Sequence, residues 1–208
     1  MPSRSYHEEI WRAVPPGLEP EHFELRRDFL LAAVAPGARV LDLGCGEGAF
    51  AAALTRAGAE VLAADVAEEP LRRARAAHPG LATVLIDGEG AWELGDGSFD
   101  VVWAGEVIEH VADTAGWLSE LRRVLRSGGR LLASTPLLGR AQLLAAASSR
   151  RAFAARFDPQ SDHLRHYDRA TLRALIASFG FEQIVVRRAA GPPGARRLLL
   201  ASAVRSRF

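Results

Sequence analysis

The stretch Val40-Leu41-Asp42-Leu43-Gly44-Cys45-Gly46-Glu47-Gly48 decides the fold of this 208-residue chain. Its apolar first half predicts a buried strand, Arg39 to Leu43, and a helical pattern follows the glycines. Three glycines at alternate positions let the backbone turn sharply and let a ligand approach without meeting a Cβ atom. A strand, a glycine-rich turn and a helix N-terminus in this order predict a binding cradle at the edge of a parallel sheet.

The spacing of the glycines favours one kind of ligand. A dinucleotide fingerprint reads Gly-x-Gly-x-x-Gly and holds a pyrophosphate at the helix N-terminus. This turn reads Gly-x-Gly-x-Gly, and Asp42 precedes it within the strand. An acid at that position suits a ligand with a cationic amino group and no phosphate. On this motif alone, a tight turn that binds no ligand is an alternative.

Composition narrows the class of protein. The net charge of +1 gives no electrostatic argument for nucleic acid or a membrane surface, so neither partner is expected. The single cysteine, Cys45, excludes an internal disulfide and suits a reducing compartment. No signal peptide is visible and no apolar run is long enough to cross a bilayer. We therefore expect a cytoplasmic monomer or homodimer without membrane insertion.

Acidic residues follow the next predicted strands. Asp65 comes directly after the strand from Glu60 to Ala64, about twenty residues beyond the glycines, where an acid can accept two ribose hydroxyls. Asp87-Gly88-Glu89 follows a third strand, and Gly105-Glu106-Val107-Ile108-Glu109-His110-Val111 follows a fourth, Val101 to Ala104. The carboxyl ends of such strands meet at one sheet edge, so these motifs are expected to share a site.

These motifs resemble those of the class I S-adenosylmethionine (SAM)-dependent methyltransferases, from about Gly37 to Gly180. The resemblance implies an α/β fold with a Rossmann-like, mostly parallel seven-stranded sheet in the order 3-2-1-4-5-7-6. The last strand would be antiparallel, and helices would cover both faces. The implied cofactor is SAM, with S-adenosylhomocysteine as its product.

The predicted cofactor contacts come from the glycine turn and from the ends of the next strands. Asp42 suits the SAM amino group through the turn or a water. Asp65 suits the ribose, a feature that alone fits NAD and SAM equally, and a helix N-cap is the alternative for this residue. The resemblance assigns Asp87 to the adenine amine, with a plain turn aspartate as the alternative, and the segment after the fourth strand to the methionine end. The full set is Asp42, Gly44, Cys45, Gly46, Gly48, Asp65, Val66, Asp87, Gly88, Glu89, Glu106 and Val107.

Two segments lie outside the core repeat of a single domain, residues 1–208. Residues 1–36 predict an N-terminal helical cap, in which Tyr6, His7 and Trp11 are candidates for a lid over the cofactor. Residues 136–166 form an insertion after the fifth strand, and its position above the sheet edge predicts a substrate lid. A helix packed on the core is the alternative for either segment.

Three histidines are the predicted catalytic residues: His110, His163 and His166. A neutral imidazole near pH 7 suits a general base for a hydroxyl acceptor, with His110 placed first. Structural hydrogen bonding is the alternative for each. Glu106, Glu109 and His110 also share one face if their segment is helical, as in small-RNA 3′-end methyltransferases that hold a metal. The prediction here is a site without metal.

The predicted function is methyl transfer from SAM to a small-molecule acceptor, at oxygen. One alternative is a metal-assisted methyltransferase acting on an RNA end or a catechol-like acceptor. Others are a SAM-binding module without catalysis and an NAD-dependent oxidoreductase. The missing third Rossmann glycine and the antiparallel tail count against the oxidoreductase.

Overall fold

The structure is a computed structural model that describes residues 4–88, 90–158, 161–192 and 195–207. Within these residues the strands are β1 (Arg39–Leu43), β2 (Glu60–Asp65), β3 (Ala82–Leu85), β4 (Phe99–Gly105), β5 (Leu125–Pro136), β6 (Phe181–Ala189) and β7 (Leu198–Arg205). The helices are α1 (Arg4–Ala13), α2 (Phe23–Leu31), α3 (Ala49–Arg56), α4 (Glu68–Ala77), α5 (Thr114–Val124), α6 (Arg140–Ala147), α7 (Arg150–Arg156) and α8 (Arg169–Ser178).

The strands form one sheet in the order β3-β2-β1-β4-β5-β7-β6, which confirms the predicted fold. Strands β1 to β5 pair in parallel, whereas β7 runs antiparallel to both β5 and β6. From β1 the chain adds β2 and β3 on one side and then crosses over to add β4 and β5 on the other, so the strand order reverses between β1 and β4. Open α/β sheets bind ligands beyond the carboxyl ends of the strands at such a point.

Helices cover both faces of the sheet because side chains alternate along each buried strand. On β4, Val101 and Trp103 pack with residues of α2 and α3, while Val102 and Ala104 face α5 and the larger core cluster. All four are at most 5% exposed. A strand buried on both faces reads as a continuous apolar run, which is how β4 appears in the sequence.

Helix α3 begins at Ala49, directly after the last glycine of the turn, because Gly48 has a left-handed φ of 81° and ends the turn. Strand β5 contains a bulge at Ser127-Gly128-Gly129. Leu125 already pairs with Phe99, and the register then shifts to Arg130 opposite Val101.

The two segments outside the repeat are helical but differ in packing. No residue of α1 is buried, whereas α2 buries Arg26 and Leu30 against the sheet. In the insertion, Leu143 is 45% and Leu144 73% exposed, so α6 does not pack these two leucines into the core. None of the helices in the described part of the chain is long and apolar enough to span a membrane.

Candidate active site

A cavity of about 640 Å³, here called the first cavity, opens at the carboxyl ends of β1, β2 and β4. Leu43, Gly44 and Asp65 contribute to its floor, and α1 lies across its mouth. It therefore occupies the position that the topology predicts for a ligand.

The glycine turn has the geometry that its sequence predicts. Gly44, Gly46 and Gly48 have φ angles of 70°, 54° and 81°, a left-handed conformation that favours glycine. A Cβ atom on Gly44 would lie 2.5 Å from a methyl group of Val107. Of the turn residues predicted to contact the cofactor, Gly44 lines the first cavity, while Cys45, Gly46 and Gly48 lie outside its lining.

Two buried carboxylates lie next to this turn, Asp42 within β1 and Asp65 at the end of β2. Asp42 is 1% exposed and does not line the cavity, and burial raises its pKa to about 7. Asp65 does line the cavity. Its Oδ2 accepts a hydrogen bond from the Gly46 amide and its Oδ1 one from the Ala67 amide, both at 3.1 Å. Burial raises the pKa of Asp65 to about 6, although the two hydrogen bonds act to lower it.

Helix α1 is fastened over the first cavity by polar contacts rather than by a buried face. Glu8 accepts hydrogen bonds from the Glu68 and Glu69 amides, at 2.5 and 3.2 Å, and so caps α4 from outside that helix. Arg73 donates to the carbonyls of Trp11 and Val14, at 2.6 and 2.9 Å. These contacts join residues about 60 positions apart, so sequence reasoning missed both Glu8 and Arg73.

The lid candidates occupy different positions. His7 and Trp11 line the first cavity, and the Trp11 ring lies over Gly46, where a Cβ would be 2.9 Å away. Tyr6 is not part of the lining and packs edge-on against His7, with ring centroids 5.8 Å apart.

The far end of the first cavity lies beyond β3. Asp87 and Gly88, both predicted contacts, line it with Val66 and with the buried ring of Trp92, which sequence reasoning did not select. Glu89 lies outside the described residues. A flat apolar wall beside a carboxylate suits a heteroaromatic ring that bears an amino group.

The segment after β4 carries two buried glutamates. Glu106 lines the cavity with Val107, has a left-handed φ of 59°, and accepts a hydrogen bond from the Ser134 hydroxyl at 2.8 Å. Glu109 is 1% exposed; its Oε2 accepts from the Thr135 hydroxyl at 2.9 Å, while its Oε1 has no partner. Burial, reinforced by Glu106, raises the pKa of Glu109 to about 8.

A buried arginine offsets the charge of these acids. Arg26 is 3% exposed, and its guanidinium lies 4.8 Å from the ring centroid of Phe50 and 5.7 Å from that of Trp103. Burial lowers the pKa of Arg26, and the carboxylates of Glu106 and Glu109 oppose that shift. Its four-residue spacing from the buried Leu30 was the signal in the sequence that could have identified it.

His110 lies in the wall of the first cavity with one ring nitrogen fixed. Its Nδ1 is 3.0 Å from the main-chain oxygen of Asp162 and 3.4 Å from the carboxylate Oδ2 of the same residue. A carbonyl oxygen only accepts, so Nδ1 carries the hydrogen and Nε2 of the neutral ring is left as an acceptor. Burial lowers the pKa of His110, and Asp162 opposes that shift. Sequence reasoning missed Asp162.

The other two predicted histidines lie in different places. The His163 ring contacts that of His110 edge-on, with centroids 4.9 Å apart. The His166 ring packs against Phe157 at 5.7 Å and lines neither this cavity nor the next. Ligand atoms of Glu109, His110 and His163 lie within 4.8 Å of one another, a spacing compatible with a metal ion. Glu106 and His166 are outside that group.

A second cavity, of about 510 Å³, adjoins the first. Its lining comes from the insertion, α6 and α7, together with the end of β5 and the start of β7. Glu106 lines both cavities, and His163 lines the second where His110 lines the first. The glutamate and the paired imidazoles therefore stand between the two spaces.

Comparison with known proteins agrees with this architecture. Residues 41–133 match a family model described as a methyltransferase domain. A SAM-dependent methyltransferase from Mesorhizobium loti superposes with a TM-score of 0.71 at 23% identity, covering 89% of this chain and 98% of that one. Phosphoethanolamine N-methyltransferase 2 of Haemonchus contortus, solved with SAM, gives 0.70 at 16% identity, covering 98% and 57%.

Fold and site together define an α/β protein with a ligand cavity at its topological switch point. The fold is that of the class I SAM-dependent methyltransferases, and the match to the methyltransferase-domain model covers residues 41–133, somewhat under half of the chain. Among curated proteins, the ubiquinone biosynthesis O-methyltransferase of Ruegeria sp. is 41% identical over 54% of this chain and 47% of its own. That of Xanthomonas campestris is 40% identical over 53% and 48%. The chain spans about half the length of these curated relatives.

Proposed function

We propose that this chain transfers a methyl group from SAM to an oxygen of a small molecule, with His110 as the general base. The observation that carries the proposal is the position of His110, whose Nδ1 is held by Asp162 and whose Nε2, 4.0 Å from Glu109 Oε1, is left as an acceptor next to the His163 ring. Relatives named as ubiquinone biosynthesis O-methyltransferases support oxygen as the accepting atom.

The first cavity has groups that fit SAM. The carboxylate of Asp65 would accept from a ribose hydroxyl, and Asp87 would accept from the adenine amine beside Trp92. Glu106 and Val107 would border the methionine end. Asp42 lies next to the turn and would act through the backbone or a water. Val66 and Gly88 complete the wall, while Cys45, Gly46 and Gly48 would shape the turn without lining the cavity.

The chemistry asks little of the chain besides placement and a proton acceptor. SAM supplies an electrophilic methyl group on a sulfonium, which leaves as a neutral thioether. Placing the two reactants in line can contribute about 7–11 kcal/mol. The acceptor hydroxyl gives its proton to His110 Nε2 as the new carbon–oxygen bond forms and the carbon–sulfur bond breaks. The carboxylate of Asp162 then stabilises the imidazolium.

Transfer of a radiolabelled methyl group from SAM to catechol, phenol and amine acceptors tests this proposal. Label should appear on a hydroxyl oxygen, and His110→Ala should lower turnover by about 10²–10⁴, the range for a positioned base. SAM affinity should stay nearly unchanged. Turnover equal to the unsubstituted protein would remove His110 from the mechanism, and label found only on nitrogen would remove oxygen as the acceptor atom.

A metal-assisted transfer to an RNA end or a catechol-like acceptor is a second candidate. The observation in its favour is the unpartnered Oε1 of Glu109, 4.0 Å from His110 Nε2 and grouped with His163. A chelator distinguishes the two. Activity that disappears with the chelator and returns with a divalent ion would make these side chains ligands, whereas activity that persists would leave His110 as the base.

We also propose that residues 1–36 and 136–166 act as lids within a single domain, residues 1–208. Support comes from the exposure of α1 and from the insertion helices that line the second cavity. Hydrogen exchange with and without S-adenosylhomocysteine should show protection of both segments on binding. Protection as strong as that of β4 in the free protein would make them parts of the core.

A further inference from the structure

Two arginines in the second cavity lack partners. Arg156, at the end of α7, has a guanidinium Nε that is fully buried and makes no hydrogen bond. Arg197, just before β7, lines the same cavity. Within the described part of the chain, neither side chain forms an ion pair, although the acids that share this lining are satisfied elsewhere. Glu106 accepts from Ser134 at 2.8 Å, and Glu21 lies 3.3 Å from His22 Nε2.

An unpartnered guanidinium in a partly closed cavity is suited to bind an anion. A buried donor without a partner lowers stability, and a charged donor does so more strongly. The planar guanidinium matches the two oxygens of a carboxylate or phosphate, which it binds bidentately. The field of Arg156 reaches its neighbours, because the pKa of His166 is lowered first by burial and next by that arginine.

The positions of Arg156, Arg197 and the histidines determine which groups the ligand must carry and how far apart they lie. Glu106 and His163 line the same cavity at the border with the first cavity. The remaining wall is mostly small and apolar, with Ala145, Ala146, Ala152 and Ala155 facing the space. A compact acceptor would thus meet the histidines with one part and the arginines with another.

We propose that the methyl acceptor is an anionic hydroxylated small molecule whose carboxylate or phosphate is held by Arg156 and Arg197. This inference rests on the proposed function and adds the chemical class of the acceptor. The anion would orient the ligand so that its hydroxyl faces the border with the first cavity. Both arginines would act as specificity-determining residues without touching the transferred methyl group.

Calorimetry on protein saturated with S-adenosylhomocysteine tests the proposal with three probes: 3,4-dihydroxybenzoate, phenyl phosphate and the uncharged catechol. At least one charged probe should bind about tenfold or more tighter than catechol, the effect of one charge-assisted hydrogen bond. The tighter of the two charged probes identifies carboxylate or phosphate as the preferred group.

Substitutions assign the preference to the arginines. Arg156→Ala should abolish it and Arg197→Ala should reduce it, while Arg156→Lys should keep part of it because charge remains without the bidentate fork. Arg151→Ala is the matched control, since this exposed arginine of the same helix lies outside the second cavity. Its affinities should equal those of the unsubstituted protein.

Three results would overturn the inference: catechol binding as tightly as both charged probes, a preference that survives Arg156→Ala, or no binding of either charged probe to the saturated protein. Failure of the proposed function looks different, because the radiolabel assay would then show no methyl transfer to a hydroxyl oxygen, whatever the anion preference of the second cavity.

Discussion

Replacing Asp65 with alanine should raise the dissociation constant for SAM by an amount that follows from the hydrogen bonds of this carboxylate. An ionised carboxylate offers about four acceptor positions. The amides of Gly46 and Ala67 take two of them and the Val66 backbone is a further partner, so one is left for a ribose hydroxyl in the first cavity. A charge-assisted hydrogen bond contributes about 1.5–3 kcal/mol. Loss of one such bond therefore predicts a rise in the dissociation constant of about 10- to 150-fold.

The assay is calorimetric titration with SAM, paired with thermal denaturation. Asp168→Ala is the matched control, because Asp168 accepts from the Thr171 amide at 2.8 Å and caps α8 away from both cavities. Its loss should lower stability by about 0.5–2 kcal/mol, as for other helix caps, and leave the affinity for SAM unchanged. An unchanged affinity in Asp65→Ala would refute the assignment of Asp65 to the ribose.

The pH dependence of binding gives a second readout of the same residue. Burial raises the pKa of Asp65 to about 6, so the free protein protonates this carboxylate as pH falls below that value. A contact that needs the ionised form then weakens by at most about tenfold for each pH unit. Asp65→Ala should show a smaller slope between pH 6 and 5, and an equal slope would exclude Asp65 as its source.

Three further predictions concern the lid, the buried acid and the base. Arg73→Ala should weaken SAM binding and speed hydrogen exchange in α1, whereas Arg72→Ala, which loses the same glutamate partner, should do neither. Burial raises the pKa of Glu109 to about 8, so the folded protein holds this proton more tightly than the unfolded chain and loses stability as pH rises toward 8. Glu109→Gln should therefore make the melting temperature less dependent on pH between pH 5 and 8. Asp162→Asn removes the charge that raises the pKa of His110, so the acid limb of turnover should move to lower pH.

The sequence was enough to predict individual strands and the glycine cradle, because both depend on local pattern, whereas the order of the strands came from resemblance to a family. Apolar runs ending at Asp42, Asp65 and Ala104 mark the carboxyl ends of β1, β2 and β4. The glycine spacing predicts the left-handed turn that the structure contains. The antiparallel position of β7 followed from resemblance to a family rather than from its residues, since nothing local states which strands a tail will join.

Contacts between segments far apart in the chain could not be predicted from the sequence, because no local pattern shows which segments meet. Asp162 meets His110 across 52 positions, and Glu8 caps α4 across 60. The pair His163 and His166 also divides, since the His163 ring contacts His110 whereas the His166 ring packs against Phe157. That segment is fixed by the amides of Leu164 and Arg165, which donate to the carbonyl oxygen of Glu109.

Titration of the protein with S-adenosylhomocysteine and, separately, with NAD tests the central claim most directly. The first cavity, its Gly-x-Gly-x-Gly turn and Asp65 predict saturable, one-to-one binding of S-adenosylhomocysteine and no binding of NAD, because the turn lacks the glycine spacing that holds a pyrophosphate. Tight binding of NAD with no binding of S-adenosylhomocysteine would contradict the assignment of this cavity to SAM.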